Sequence, residues 1–296
     1  MFMLKGSMVA LVTPFKKDKS VDEDKLRFLI NWQIKNKTDG ILVCGTTGES
    51  ATLTHQEHKK VISIAVDEAK KRVPIIAGAG SNSTEEALDL TKYAKKVGAD
   101  FSLVITPYYN KPTQRGLVQH FKKISKSVNI PIIIYNVPSR TGINILPDTV
   151  IEIASQCQNV VGIKEASGSL DQAIQIMYRA PKNFSLLSGN DQIILPIMSV
   201  GGSGVVSVVA NIEPKKTHQL TESFLKGDLE KARKIQFELY DLIKVLFVET
   251  NPIPAKAALK LMGMIEGNLR LPLYRMEPSN LTKLKKTLKE YRLIKG

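Results

Sequence analysis

The stretch PIIAGAGSNSTEEALDLTKYAKKVGADFSLVIT, Pro74–Thr106, contains one full cycle of the chain's organisation. Pro74–Ala77 is an apolar run of strand length. Ser83-Thr-Glu-Glu86 then spells a capping box, in which a serine hydroxyl and a glutamate three residues on satisfy each other's backbone amides at a helix start. The helical pattern runs from Ser83 to Val97, and Phe101–Thr106 is a second strand. A strand, a helix and another strand, with strands apolar enough to be covered on both faces, make the unit that sets two parallel strands side by side.

The same unit recurs in both directions. Strand-like runs at Met8–Val12, Gly40–Cys44, Pro131–Asn136, Val160–Glu165, Ser185–Ser188 and Gly204–Val209 bring the total to eight. Helical patterns at Asp22–Lys37, Thr54–Lys71 and Thr113–Ser127 lie among them, and Thr54-His-Gln-Glu57 and Ser169-Leu-Asp-Gln172 read as further capping boxes. Eight such units predict an α/β chain closed into a (β/α)8 TIM barrel, with an open doubly wound sheet as the alternative. After Ile212 the strands stop and helices continue through Glu213–Lys226, Asp228–Val248, Pro254–Met262 and Ser279–Leu293. The expected division is a barrel over residues 1–226 and a C-terminal helical domain over 227–296. No linker rich in Gly, Ser or Pro separates them, so the second should pack on the first.

At 296 residues and 43% hydrophobic, the chain has material for a large core. No stretch approaches about 18 apolar residues, which argues for a cytoplasmic protein and against a membrane. Cys44 and Cys157 have neither disulfide-framework nor zinc spacing, and Cys44 reads as a core residue of an apolar strand. The net charge of +14 raises nucleic acid as a partner. However, the densest run, Lys283, Lys285, Lys286, Lys289 and Arg292, lies opposite Leu281, Leu284, Leu288 and Tyr291 on a helical pattern. That is a solvated face, so no nucleic acid is expected. A positive field also suits small anionic substrates.

In such barrels chemistry sits at the C-terminal ends of the strands. That rule selects Gly45-Thr46-Thr47-Gly48-Glu49, Tyr108-Tyr109-Asn110, Tyr135-Asn136 with Arg140, and Lys164-Glu165. None of these suggests a metal or a dinucleotide. Lys164 interrupts the apolar run Val160-Val161-Gly162-Ile163, and alternation puts it on one face with Gly162 and Ala166, whose small size leaves room beside it. Desolvation there disfavours the ammonium form and supplies the neutral amine that attacks a carbonyl. The alternative is a lysine snorkelling from a strand end toward a carboxylate. Tyr135 would face the same mouth one strand away, either as packing or as a proton carrier. Arg140 is either a surface ion pair or a bidentate grip on a substrate carboxylate. The loop from Gly45 lacks the Gly-Lys-Ser/Thr ending of a phosphate cradle and suits a small carboxylate better. Gly201-Gly202-Ser203-Gly204 reads as close packing at the barrel rim.

Five strings, GTTGES from Gly45, TPYYNKP from Thr106, YNVPSRTG from Tyr135, GIKEASG from Gly162 and GVVSVVAN from Gly204, stand in the order and spacing of a known family. The chain resembles the dihydrodipicolinate synthases of the pyruvate-lyase superfamily over essentially its whole length. The arginine in YNVPSRTG separates it from N-acetylneuraminate lyases. The resemblance implies condensation of pyruvate with L-aspartate 4-semialdehyde through a Schiff base on Lys164, without metal or organic cofactor. It implies a proton relay of Thr46, Tyr135 and Tyr109, with Tyr109 reaching a neighbouring subunit. Thr47, with Gly45, would hold the pyruvate carboxylate, Arg140 the carboxylate of the second substrate, and the backbone at Val206 would line the pocket. It further implies inhibition by L-lysine at Ser50, Ala51, His55, His58, Asn82, Glu86 and Tyr108, and a homotetramer built as a dimer of dimers. Other readings are an aldolase for sugar acids, which would not need Arg140, and a basic, non-catalytic binding protein on the same barrel.

Overall fold

A computed structural model describes residues 3–295. Eight strands form a closed, all-parallel barrel in sequence order. They are β1 (Gly6–Ala10), β2 (Gly40–Val43), β3 (Ile75–Gly78), β4 (Phe101–Ile105), β5 (Ile132–Asn136), β6 (Val160–Glu165), β7 (Ser185–Ser188) and β8 (Gly204–Ser207). The helices outside are α1 (Glu23–Lys35), α2 (His55–Ala69), α3 (Thr84–Val97), α4 (Gln114–Ser127), α5 (Pro138–Thr141), α6 (Pro147–Gln156), α7 (Leu170–Arg179), α8 (Ile194–Ser199) and α9 (Pro214–Leu225). Closed pairing leaves no open sheet edge, which removes the doubly wound alternative.

The barrel has two apolar zones. Met8, Leu42, Ile76, Leu103, Ile133, Leu187 and Val206 fill its interior, while outward residues such as Val9, Ile41, Ile134 and Ile163 join the larger core under the helices. Both faces of each strand are therefore buried, which is why the strands read as continuous apolar runs. Where β8 meets β1, Gly204 pairs with Gly6, and a Cβ on Gly204 would lie 2.0 Å from the Gly6 carbonyl oxygen. Gly202 is equally confined, with the Ile197 oxygen 2.6 Å from a Cβ there, so this glycine-rich stretch serves close packing.

The first strand begins two residues earlier than its apolar run suggests, because Gly6 and Ser7 are drawn into pairing with β8. Of the three capping boxes only Thr54–Glu57 is reciprocal. Ser83 and Ser169 do cap their helices, but Glu86 bonds Ser81 and Gln172 reaches Glu165 instead of returning to the cap. Cys44 lies just past β2, not in it, in a left-handed conformation (φ 54°). Its burial pushes the thiol upward, away from reactivity.

Three further helices follow: α10 (Leu229–Leu246), α11 (Ile253–Leu261) and α12 (Pro278–Glu290). Leu284 and Leu288 of α12 are fully buried while Lys283, Lys285, Lys286 and Lys289 are exposed, as expected of a solvated basic face. Among the described residues no helix is long and apolar enough to cross a membrane.

Candidate active site

Tyr135 and Lys164 are register partners on β5 and β6, at the C-terminal ends of these strands. Both are 6% exposed, and the Lys164 Nζ lies 4.2 Å from the centre of the Tyr135 ring. The amine thus rests on an aromatic face, and among the described residues it has no carboxylate salt bridge, unlike a snorkelling lysine. The space beside it has a different origin from the one expected. A Cβ on Gly162 would meet the Ser185 oxygen at 2.5 Å, so that glycine lets β6 approach β7. Gly189 opens the room next to the amine: a Cβ there would stand 3.2 Å from Lys164 Cε and 2.6 Å from the Ala166 side chain.

The neighbours of these two residues in sequence face outward and lock them. Glu165 is buried, and its carboxylate accepts from the Asn136 amide (3.0 Å), the Gln172 amide (2.9 Å) and the Ser167 backbone N–H (2.6 Å). Asn136 also donates to Asn144 at 2.7 Å. A buried carboxylate is tolerated only when its lone pairs are satisfied, and here amide donors from three directions do this. The ends of β5 and β6 are thereby pinned together, with Tyr135 and Lys164 on their inner side.

After β2 the Gly45–Ser50 loop folds on itself. Gly48 N–H donates to the Gly45 oxygen (3.1 Å), Glu49 N–H to the Thr46 oxygen (3.0 Å) and Ser50 N–H to the Gly45 oxygen (3.3 Å). Three of its amides are thus used internally, and the hydroxyls of Thr46 and Thr47 remain as its chemical face. Thr47 is buried and its hydroxyl accepts from the Asn251 amide at 2.9 Å. Glu49, left-handed at φ 53°, buries its carboxylate against the Lys256 ammonium of α11, both side chains fully inaccessible. Burial pulls Lys256 down to about 8 despite Glu49.

Beyond this loop is a cavity of about 430 Å³ lined by Thr46, Ser50, Ala51, His55, His58, Glu86, Tyr108 and Arg140, among others. Asn82 is not in its wall; its backbone carbonyl accepts from the Asn110 amide at 2.9 Å. Lys164 and Tyr135, inside the barrel mouth, do not line it either. His58 is held by a 2.6 Å contact between Nε2 and the Gly78 oxygen, and burial lowers its pKa, with His55 adding repulsion. Glu86 accepts from the Ser81 hydroxyl at 2.5 Å and stands 3.6 Å from His55 Nε2. Arg140 belongs to the short helix α5 rather than a loop, is exposed, and donates to the Asn251 oxygen at 3.2 Å.

Among the described residues no hydrogen bond joins Thr46 to Tyr135. Tyr109 is 89% exposed with φ 71°, and among the described residues no hydrogen bond links it to Thr46 or Tyr135. Val206 is buried on the inner face of β8. Besides Gly189, sequence reasoning missed Asn251, Lys256 and Asp191 here. Asp191 follows β7, accepts from the Val208 and Val209 amides at 2.9 Å each, and is raised by burial, against which those two amides act. His120 is buried against Thr84 (2.9 Å) and lowered to about 4 by burial, His218 bonds Asp39 at 2.9 Å, and Trp32 packs on the outer core. Among the described residues no group of three or more His, Cys, Asp or Glu could hold a metal ion.

Residues 3–291 match the Dihydrodipicolinate synthetase family. The chain is 54% identical over 292 residues, covering 99% of itself and 100% of the relative, to the 4-hydroxy-tetrahydrodipicolinate synthase of Syntrophus aciditrophicus. The crystal structure of dihydrodipicolinate synthase from Aquifex aeolicus superposes with a TM-score of 0.97 at 52% identity, covering 99% of this chain and 100% of the other. The structure of DHDPS from Cyanidioschyzon merolae with lysine bound gives a TM-score of 0.96 at 41% identity, over 99% and 100% of the two chains.

Proposed function

The chain belongs to the dihydrodipicolinate synthetase family, and from this we propose that Lys164 is the Schiff-base residue of its reaction. The enzyme is a class I lyase that condenses pyruvate with L-aspartate 4-semialdehyde to 4-hydroxy-tetrahydrodipicolinate, in the diaminopimelate route to L-lysine. The observation that carries the assignment of Lys164 is its amine, buried at the strand ends and lying 4.2 Å over the Tyr135 ring.

The chemistry follows from that amine. Neutral Lys164 adds to the pyruvate ketone and water leaves, giving a protonated imine. The positive nitrogen acidifies the methyl group, and loss of a proton gives an enamine. Its carbon attacks the aldehyde of the second substrate, whose amine then closes the ring and displaces the lysine. The protonated imine is the electron sink, so the scheme calls on neither metal nor organic cofactor. Thr46, Tyr135 and Tyr109 carry the protons, Thr47 and the backbone at Gly45 hold the pyruvate carboxylate, and the Val206 backbone lines the pocket. Arg140 takes the carboxylate of the semialdehyde, and its exposure at the mouth suits a group that meets the second substrate late.

Tyr109 serves a neighbouring subunit in a homotetramer, a dimer of dimers. Its outward, left-handed presentation supports this reading. L-Lysine is the feedback inhibitor, bound by Ser50, Ala51, His55, His58, Asn82, Glu86 and Tyr108. Glu86 offers the carboxylate for its amine, and the lysine-bound relative supports the choice of ligand. The chain divides at residues 226 and 227 into barrel and helical domain, and works in the cytoplasm.

Turnover of pyruvate with aspartate semialdehyde, coupled to dihydrodipicolinate reductase, tests the reaction, and borohydride trapping with pyruvate tests the residue. Wild type should gain the mass of a reduced pyruvyl adduct at Lys164, and Lys164→Met should gain none. An adduct on another lysine, or none on folded wild type, refutes the assignment.

A further inference from the structure

We propose that the buried Glu49–Lys256 pair is a positioning element for the reaction, through which α11 of the helical extension sets the Thr46–Thr47 corner that grips pyruvate. The proposal rests on the reading of Lys164 and Thr47 above. Glu49 closes the turn that begins at Thr46: its N–H donates to the Thr46 oxygen at 3.0 Å. Its left-handed backbone, φ 53°, is one that a residue with a side chain adopts only when its surroundings impose it.

Those surroundings come from the far end of the sequence. One carboxylate oxygen of Glu49 takes the Lys256 ammonium, and the other accepts the Arg270 backbone N–H at 3.2 Å. Lys256 is itself fixed by the Asn268 oxygen (2.8 Å) and by the Phe15 ring, whose centre is 3.9 Å from Nζ. Five residues before Lys256, Asn251 donates to the Thr47 hydroxyl at 2.9 Å. The start of α11 and the segment leading into it thus hold both ends of the Thr47-Gly48-Glu49 corner. A fully buried ion pair is a poor way to gain stability, since a well-packed apolar pair of similar volume serves as well or better. What it supplies here is direction: a charge pair fixes the Glu49 side chain, and hence the turn, in a way that an apolar contact does not.

The test is the double variant Glu49→Gln/Lys256→Met, which removes both charges while keeping volume. Wild type and variant are compared by thermal unfolding, by borohydride trapping with pyruvate, and by steady-state kinetics with each substrate varied. The positioning role requires a folded variant that still traps pyruvate on Lys164 at saturation, with its pyruvate KM raised at least tenfold and its semialdehyde KM changed less than threefold. A folded variant whose pyruvate KM rises less than tenfold overturns it, whatever its melting temperature. If the double variant does not fold, Glu49→Asp retains both charges and retracts the carboxylate by one methylene. A pyruvate KM raised at least threefold then supports the role, and a smaller change overturns it. Failure of wild type to trap pyruvate refutes the assignment of Lys164 instead, and is seen separately in the same experiment.

Discussion

Replacing Glu57 with Gln should weaken the protein by an amount that depends on pH in a defined way. The Arg270 guanidinium bonds both Glu57 oxygens, at 2.7 and 2.5 Å, and holds that carboxyl down to about 2 from an ordinary 4.5. If fully shielded, a depression of this size would be worth roughly 3 kcal/mol at neutral pH. The carboxylate is 26% exposed, so screening by water brings the expectation to about 1–2 kcal/mol. Gln at the same position can still complete the capping box with Thr54, so the variant isolates the charge. Because the folded-state pKa is depressed, the contribution is complete above 4.5 and is lost as pH falls toward 2. At pH 3.5 about three-fifths should remain. Urea unfolding of both proteins at pH 7 and pH 3.5 measures this. A difference at pH 7 within error, or one that widens on acidification, would refute the reasoning.

Other outcomes follow from the site. Tyr135→Phe should lower kcat by about 10²–10⁴-fold while pyruvate is still captured slowly on Lys164, as single-turnover trapping would reveal. Tyr109→Phe should lose most activity while gel filtration shows the assembly unchanged; near-full activity removes it from the relay. Glu86→Gln should raise the half-inhibiting concentration of L-lysine at least tenfold, and an unchanged inhibition curve would take Glu86 out of the inhibitor pocket.

The barrel was legible because its strands are apolar on both faces and several of its helices begin with a recognisable signal, as at Ser83 and Thr54. Lys164 stood out for the converse reason, as a charge inside such a run. What escaped notice depends on pairs remote in sequence. Lys256 sits among Ala255, Ala258 and Leu259 on the buried side of α11, and its neighbours do hint at burial. Its partner, 207 residues away, becomes evident only once the extension is folded against the barrel. The capping boxes at Ser83 and Ser169 failed for a related reason: Glu86 and Gln172 found partners on other elements that no local pattern anticipates. Gly189 was overlooked because a missing side chain reveals its purpose only beside the group it makes room for.

The glycine seam between β1 and β8 bears on how the chain is made. Until β8 leaves the ribosome, β1 has an unpaired edge, and roughly 190 residues at about 5–20 residues per second mean a wait of about 10–40 s. For that interval the nascent chain exposes a short apolar strand, Gly6–Ala10, of the kind that pairs with other chains. Synthesis speed and access to chaperones should therefore govern the yield of folded protein more than the stability of the finished barrel does. A circular permutant starting just before β8 would cut the separation of the two glycine strands from roughly 190 residues to roughly 100, and would make β7–β8 the last seam to close.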